Sequence, residues 1–491
     1  MAENTDQVGV GAGQHTAPPD LAQDPPSRSN DHEHNRFAEL DLGDALRSMC
    51  TKHKVVGAQL GILDLSRSDE PWMSEISFGL LNKSTGAAVI SNSIFQLGSI
   101  TKVWTTALIM QLIDEGRLDL DTPVQHVLPE FSLKDKLAAG LVTIRHLLSH
   151  TSGIDGDVFT DMGRGNEAVE RYVANLATTN VLHPPGRGFS YSNAGFVVAG
   201  RIVEVLRGMN WDEALRRFLT EPLGLTHVVT LPEEALLHSA AVGHYLGADG
   251  SQHRVNVWGI TRALGPAGLI ASRSSDALAF AAVFLRGGIG LNGTRVLSTP
   301  SVASMCSRQV NFSNHGETVT QWGLGWFLED WHDKTVIGHD GMTIGQRAFL
   351  RIFPESGFAL TLLTTGGEAD GLFHEVISHL AHEIGVQVPT PIQPVPGFFD
   401  PDLQSYVGTY SDGGKDIVIE VQGENLLAVV TPRIVLDVGK NETELFTLLP
   451  VRSGVFALRG TGNANWSPVR FVQVHGTKYL TLWNRAIPKA E

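Results

Sequence analysis

Apolar and polar positions change their period several times along the chain. Residues 1–36 have no apolar period; they are rich in Gly, Pro, Asp, Ser and Asn and include the tract Asp24-Pro25-Pro26-Ser27-Arg28-Ser29-Asn30. Too little apolar surface is available there to offset the entropy of ordering, so a disordered tail is expected. From Leu40 a helical period leads into a strand-like run at residues 55–63, and a second strand is expected at 74–81. Residues 100–115 are apolar nearly all round and stop at Gly116, the pattern of a buried helix. Residues 120–290 read as mostly helical with polar loops. After Trp326 the strand period returns, with runs at 348–353 and 358–363 flanking the turn Pro354-Glu355-Ser356-Gly357, and a helix over 372–384 follows.

Strands, then helices, then strands again imply that the early and late strands share one antiparallel sheet. Helices flank it, and an all-helical subdomain is inserted between the two sets, an α+β fold. Pro389, Pro391, Pro394, Pro396 and Pro401 mark a semi-rigid linker. Beyond it, short alternating runs such as 417–421 and 469–474 predict a small all-β barrel or sandwich. The expected organisation is a tail at 1–36, a first domain at 37–388, a linker at 389–402 and an all-β module at 403–491. No nucleophile or titratable cluster stands out in that module, so it is expected to pack on the first domain without a second active site.

Composition narrows the partners. A formal charge of −15 over 491 residues, without a cluster of Lys and Arg, excludes a phosphate-binding surface, and no nucleic-acid partner is expected. Cys50 and Cys306 are the only cysteines, far apart, and read as buried thiols. The start Met1-Ala2-Glu3-Asn4-Thr5-Asp6 has neither a basic region nor an apolar core, and no apolar stretch is long enough to cross a bilayer. A cytoplasmic protein without a membrane partner is the expectation.

Three short motifs carry chemistry. In Phe95-Gln96-Leu97-Gly98-Ser99-Ile100-Thr101-Lys102, Ser99 opens a helix, where its N–H is unpaired and at the positive end of the dipole. Lys102 follows three residues later on the same face. A serine hydroxyl needs a base, and a lysine desolvated by apolar neighbours can act as one. In Phe189-Ser190-Tyr191-Ser192-Asn193, expected on a loop, Tyr191 is a candidate proton shuttle, since a phenol beside a cation loses its proton more readily. The Asn193 amide can hold Lys102 or a substrate carbonyl. In Ile337-Gly338-His339-Asp340-Gly341-Met342, an edge strand with Gly341 would let a substrate approach the backbone. The N–H of Met342 could then join that of Ser99 as an oxyanion hole.

Ser-x-x-Lys, Tyr-x-Asn and Lys/His-x-Gly in this order resemble the serine β-lactamases and penicillin-binding proteins, in particular the class C and esterase-like branch (peptidase family S12). Leu147-Leu148-Ser149-His150-Thr151-Ser152-Gly153, Pro184-Pro185-Gly186, Gly265-Pro266-Ala267-Gly268 and Gly323-Leu324-Gly325-Trp326 extend the resemblance over residues 40–388. It implies the β-lactamase/transpeptidase-like fold, acylation of Ser99, proton transfer by Lys102 and Tyr191, an oxyanion hole at Ser99 and Met342, and no cofactor. Asn193, His339 and Gly341 would contact a small-molecule or peptide acyl substrate. His339 stands where these relatives carry lysine; a neutral imidazole weakens the case for a β-lactamase and favours esterase, amidase, D-amino-acid peptidase or acyltransferase chemistry. The distal module resembles the lipocalin-like domain of some such peptidases and peptide cyclases.

The expected function is a serine hydrolase of ester or amide bonds. An acyltransferase or peptide cyclase that resolves the acyl-enzyme with an amine, and a non-catalytic binding protein on the same fold, are the alternatives. Two features point to zinc only superficially. The cluster Asp31-His32-Glu33-His34 lies in the tail, and His374, His379 and His382 lack the four-residue spacing of a zinc helix, so no metal is expected. His150 reads as structural.

Overall fold

The computed structural model describes residues 37, 40–66, 70–247, 250–315, 318–433, 443–460, 465–474 and 476–490. The expectations for the tail and for His32 and His34 lie outside the described residues. Asp41–Glu491 forms one compact unit.

The main sheet is antiparallel. Its strands are β1 Gly57–Asp64, β2 Trp72–Asn82, β3 Ala87–Ala88, β4 Val310–His315, β5 Thr318–Trp322, β6 Phe327–Trp331, β7 Lys334–Thr343, β8 Gln346–Phe353 and β9 Phe358–Thr365. They lie in the order β3-β2-β1-β9-β8-β7-β6-β5-β4, so the early strands do join the late ones, through β1 and β9. Helices α1 Leu42–Lys52, α4 Ser274–Leu285 and α5 Ala369–Ile384 pack on it, while α2 Thr101–Asp114 and α3 Asn193–Arg207 pack on each other. Every residue of β1 and β9 is buried because both faces are covered. Leu60 faces α1 and α5, while its neighbour Gly61 faces Ser274 and Leu278 of α4, as the two-residue period of a strand requires. Between the two sets of strands the chain is mainly helical, as expected, with short strands such as Phe95–Gln96 among the helices.

The strand region begins earlier than Trp326: β4 and β5 already belong to the sheet. Their sequence, Val-Asn-Phe-Ser-Asn-His and Thr-Val-Thr-Gln-Trp, is too polar to give a buried-strand signal, which fits their place at the outer end. Residues 386–400 form no helix or strand.

The C-terminal module is a barrel of eight strands: β10 Gly408–Ser411, β11 Lys415–Gln422, β12 Asn425–Pro432, β13 Glu444–Arg452, β14 Val455–Leu458, β15 Ser467–Val474, β16 Thr477–Leu482 and β17 Arg485–Pro488. Each pairs with the next, and a Tyr410–Lys489 bridge with an Ala490 N–H to Thr409 carbonyl bond of 2.7 Å nearly closes the circle. Alternating residues such as Ile417, Ile419, Leu426, Ala428 and Leu448 fill the interior. Among the described residues no helix is long and apolar enough to cross a membrane.

Candidate active site

Ser99 lies in a 3-10 turn, Gly98–Ile100, that runs directly into α2. The turn is pressed against β7. A side chain on Gly98, whose φ is +51°, would come within 2.7 Å of the Met342 nitrogen, and one on Gly341 within 1.8 Å of the Leu97 carbonyl oxygen. Both positions must be glycine for this approach. The space on the Cβ side of Gly341 is therefore taken by the chain's own turn. A correction concerns the strand. β7 is interior to the sheet, but β6 pairs with it only from Lys334 to Gly338, so His339–Thr343 lack that neighbour. The Met342 amide lies beside Gly98, the residue before Ser99.

Lys102 is completely buried. Its Nζ lies 3.0 Å from Ser99 Oγ, 2.8 Å from Asn193 Oδ1 and 2.7 Å from the Ala267 carbonyl oxygen. The last two can only accept, so they take two N–H groups of the amine. Burial, helped by the charge of Arg485 and opposed by that of Asp157, holds the ammonium form well below its ordinary range. Nζ donates toward Ser99 Oγ as it stands, and loss of that proton would leave a lone pair for the Ser99 hydroxyl. The apolar helix that encloses Lys102, with Trp104 stacked on Phe280 at 3.7 Å, is what removes water from it.

Tyr191 ends a loop and Asn193 is the first residue of α3, capped by Ser192, whose Oγ accepts the Gly195 N–H. The Tyr191 ring lies 4.9 Å from Lys102 Nζ. Its hydroxyl is buried and near enough to Ser99 for that hydroxyl to lower its pKa, yet not aligned in a hydrogen bond. Burial outweighs Ser99 and Arg485 and raises the phenol above its ordinary value. The direction is opposite to an easier ionisation, because desolvation is the largest cause.

His339 is buried, with Nδ1 2.7 Å from the Asp340 carbonyl oxygen. That contact requires Nδ1–H, which leaves Nε2 an acceptor, and Nε2 is buried without a partner. Burial, then the nearby Lys102, lowers its pKa to about 3. The imidazole is neutral near pH 7. His150 stacks on Tyr191 at 4.1 Å, and its Nδ1 accepts the Ser192 N–H, so it braces the Tyr191 loop. Glu375 on α5 is bound to Lys52, the last residue of α1, and to His53 that caps it, and ties the two helices together. Among the described residues no group of three His, Cys, Asp or Glu could hold a metal.

The sequence did not point to Asp157, Arg485 or the Ala267 carbonyl. Asp157 receives Asn193 Nδ2 at 3.2 Å and a bidentate Arg485 at 2.8 Å through both Nε and Nη2. Arg485 begins β17 of the barrel. The preceding turn also accepts the Tyr191 N–H on the Asn484 carbonyl at 2.8 Å, and the Ala486 N–H reaches Ser190 Oγ at 3.1 Å. The barrel therefore forms one wall around the Tyr191 loop.

Residues 47–380 match the family model described as Beta-lactamase. Penicillin-binding protein 4 of Amycolatopsis lactamdurans is 41% identical over 391 residues, 78% of this chain and 98% of that protein. Esterase EstB of Burkholderia gladioli is 32% identical over 163 residues, 30% of this chain and 41% of its own. Two crystal structures of SurE, one of them with D-Leu, align with TM-scores of 0.73 and 0.70 at 27% and 26% identity, each over 91% of this chain and 98% of theirs. With the family model spanning most of the chain and the Ser99–Lys102 pair, the Tyr191 loop and the His339 strand brought together, the chain belongs to the beta-lactamase family.

Proposed function

We propose that this protein is a serine hydrolase that cleaves ester or amide (peptide) bonds through an acyl-enzyme at Ser99. The observation that carries this reading is a buried Lys102, its proton affinity lowered by desolvation, within hydrogen-bond reach of the Ser99 hydroxyl. Lys102 takes the serine proton as Oγ attacks the substrate carbonyl carbon. The oxyanion is received by the N–H groups of Ser99 and Met342. Tyr191, held protonated, gives its proton to the leaving group and regains one from the Lys102 ammonium. The serine proton thus ends on the leaving group. Water then attacks the acyl-enzyme, with Tyr191 and Lys102 returning the proton to Ser99. Asn193 fixes Lys102, and His339 offers an acceptor to the acyl group.

A second reading, an acyltransferase or peptide cyclase in which an amine replaces water, is favoured by the SurE likeness. It spans the barrel as well as the catalytic domain, and one SurE structure holds D-Leu. Chemistry up to the acyl-enzyme is the same in both.

The test is covalent labelling of the intact protein by a fluorescent phosphonate and by a penicillin, the latter suggested by the name of the Amycolatopsis relative. Ser99→Ala should abolish phosphonate labelling with little change in Tm, and Lys102→Ala should slow it by about three orders of magnitude, as loss of an activating base does. Undiminished labelling of Ser99→Ala would overturn the assignment. Adding D-amino-acid amides to acylated protein separates the two readings: amide products favour transfer, and free acid alone favours hydrolysis.

A further inference from the structure

Asn193 has two amide orientations of nearly equal shape, and only one of them serves Lys102. With Oδ1 toward Lys102, the amine has an acceptor for one of its N–H groups; with the amide reversed, NH2 would face N–H. Within reach of the other end of the amide lies the Asp157 carboxylate, 3.2 Å from Nδ2. A carboxylate only accepts, so it requires the NH2 on its side and thereby turns Oδ1 toward Lys102. Asp157 is in turn immobilised by the fork of Arg485, at 2.8 Å to each oxygen, and Arg485 Nη1 donates to the Trp483 carbonyl at 2.9 Å. The guanidinium carbon also lies 4.9 Å from the Tyr191 ring centre. A continuous chain of hydrogen bonds therefore runs from the barrel to the Ser99 hydroxyl: Arg485, Asp157, Asn193, Lys102, Ser99.

We propose that Asp157 is a positioning residue that sets the Asn193 amide for Lys102, and that by clamping Arg485 it makes the barrel part of the proton-transfer network. This inference rests on the serine mechanism proposed above and adds residues that do not touch substrate. The charges are arranged to suit it. Lys102 faces Arg485 and Asp157, with Tyr191, His150 and His339 around it. Asp157 faces Arg485 and Lys415, with Asp155 nearby. Burial alone would raise the Asp157 carboxyl, but the Arg485 charge and hydrogen bond outweigh it and keep Asp157 ionised. Arg485 lowers the proton affinity of Lys102 while Asp157 raises it, so the two charges act on the lysine in opposite senses.

The experiment measures phosphonate acylation of the full chain against pH in wild type, Asp157→Ala, Asn193→Ala and the double variant. Loss of positioning should slow Asp157→Ala by roughly 10- to 100-fold. The double variant should be no slower than Asn193→Ala alone, because both changes break one link. The rising limb of the pH profile reports deprotonation of Lys102. Removing the Asp157 charge should move that limb to lower pH, and Arg485→Ala should move it to higher pH. Arg485→Lys, which keeps the charge but not the fork, should lower the plateau and leave the limb in place. If Arg485→Ala does not fold, Arg485→Lys and Asp157→Ala still decide. Multiplicative effects of Asp157→Ala and Asn193→Ala, or a limb unmoved by either charge removal, would reduce Asp157 to a contact that merely docks the barrel. Labelling of Ser99→Ala at the wild-type rate would instead remove the serine mechanism itself, a distinct failure.

Discussion

Around Ser99 the residues differ in how far their roles can be read from their neighbours in sequence. Ser99 and Lys102 are three positions apart on one helix face, so their meeting is local geometry and was legible. The neutrality of His339 was legible only as a tendency; its direction comes from burial and from the Asp340 carbonyl that fixes its tautomer. Asp157 was not legible at all. Its partners lie 36 and 328 positions away, and neither distance leaves a trace in local pattern. His339 leads to a prediction. Its free Nε2 accepts a hydrogen bond and carries no charge, so an acyl group with an N–H or O–H is favoured over one with a carboxylate. His339→Lys should raise acylation by penicillins relative to an uncharged phosphonate roughly tenfold, the worth of one hydrogen bond to a charged group. The ratio of the two labelling rates is the readout. A ratio that stays constant would show that this position does not meet the substrate carboxylate.

Elements were legible where they are apolar and long. The buried helix is found at Thr101–Asp114, and the hairpin at Gln346–Phe353 and Phe358–Thr365. Strands β4 and β5 escaped because polar outer strands lack both apolar runs and alternation. The close seat of the Ser99 turn on β7 also escaped, since two glycines far apart in sequence do not reveal that they meet. The β16–β17 turn carries two successive residues other than glycine with positive φ. Trp483 and Asn484 have φ of +48° and +66°, the left-handed pair of a tight two-residue hairpin. Asparagine tolerates this region, but a bulky side chain does not. Trp483 is 46% exposed, so burial of the indole compensates only in part. The turn holds its shape because the Tyr191 N–H and Arg485 are bound through it. Trp483→Asn should therefore raise stability by about 1 kcal/mol, the cost of a left-handed L-residue. A thermal melt followed by circular dichroism checks this. A lower Tm would mean that the indole contributes more by contact than its backbone costs.

On the scale of the whole molecule, the barrel and the catalytic domain keep separate apolar cores and meet through polar bonds. Besides the Arg485 clamp, the Tyr479 hydroxyl donates to the Leu182 carbonyl at 2.8 Å, and the Gly413 N–H to Asp155 Oδ2 at 2.7 Å. Such an interface invites dependence on pH. Asp155 is 4% exposed. Burial first, then the charge of Asp412, push its carboxyl up to about 6, against the pull of the Gly413 N–H. A carboxyl whose folded value is raised contributes stability that is fully present below its unfolded value and lost as pH rises through the folded one. The window for Asp155 therefore runs from about pH 4, near an unfolded aspartate, up to the folded value. Above it the folded protein bears the cost of a buried carboxylate. Asp155→Asn keeps an oxygen for the Gly413 N–H and removes the charge. It should raise Tm at pH 8, by no more than the equivalent of about 3 kcal/mol at about 1.4 per pKa unit. Near pH 4 it should give almost no gain, because the aspartic acid is already protonated in the folded state. Scanning calorimetry at the two pH values supplies the comparison. An equal gain at both would point to a packing effect, and a loss at pH 8 would show that the interface uses Asp155 as a carboxylate.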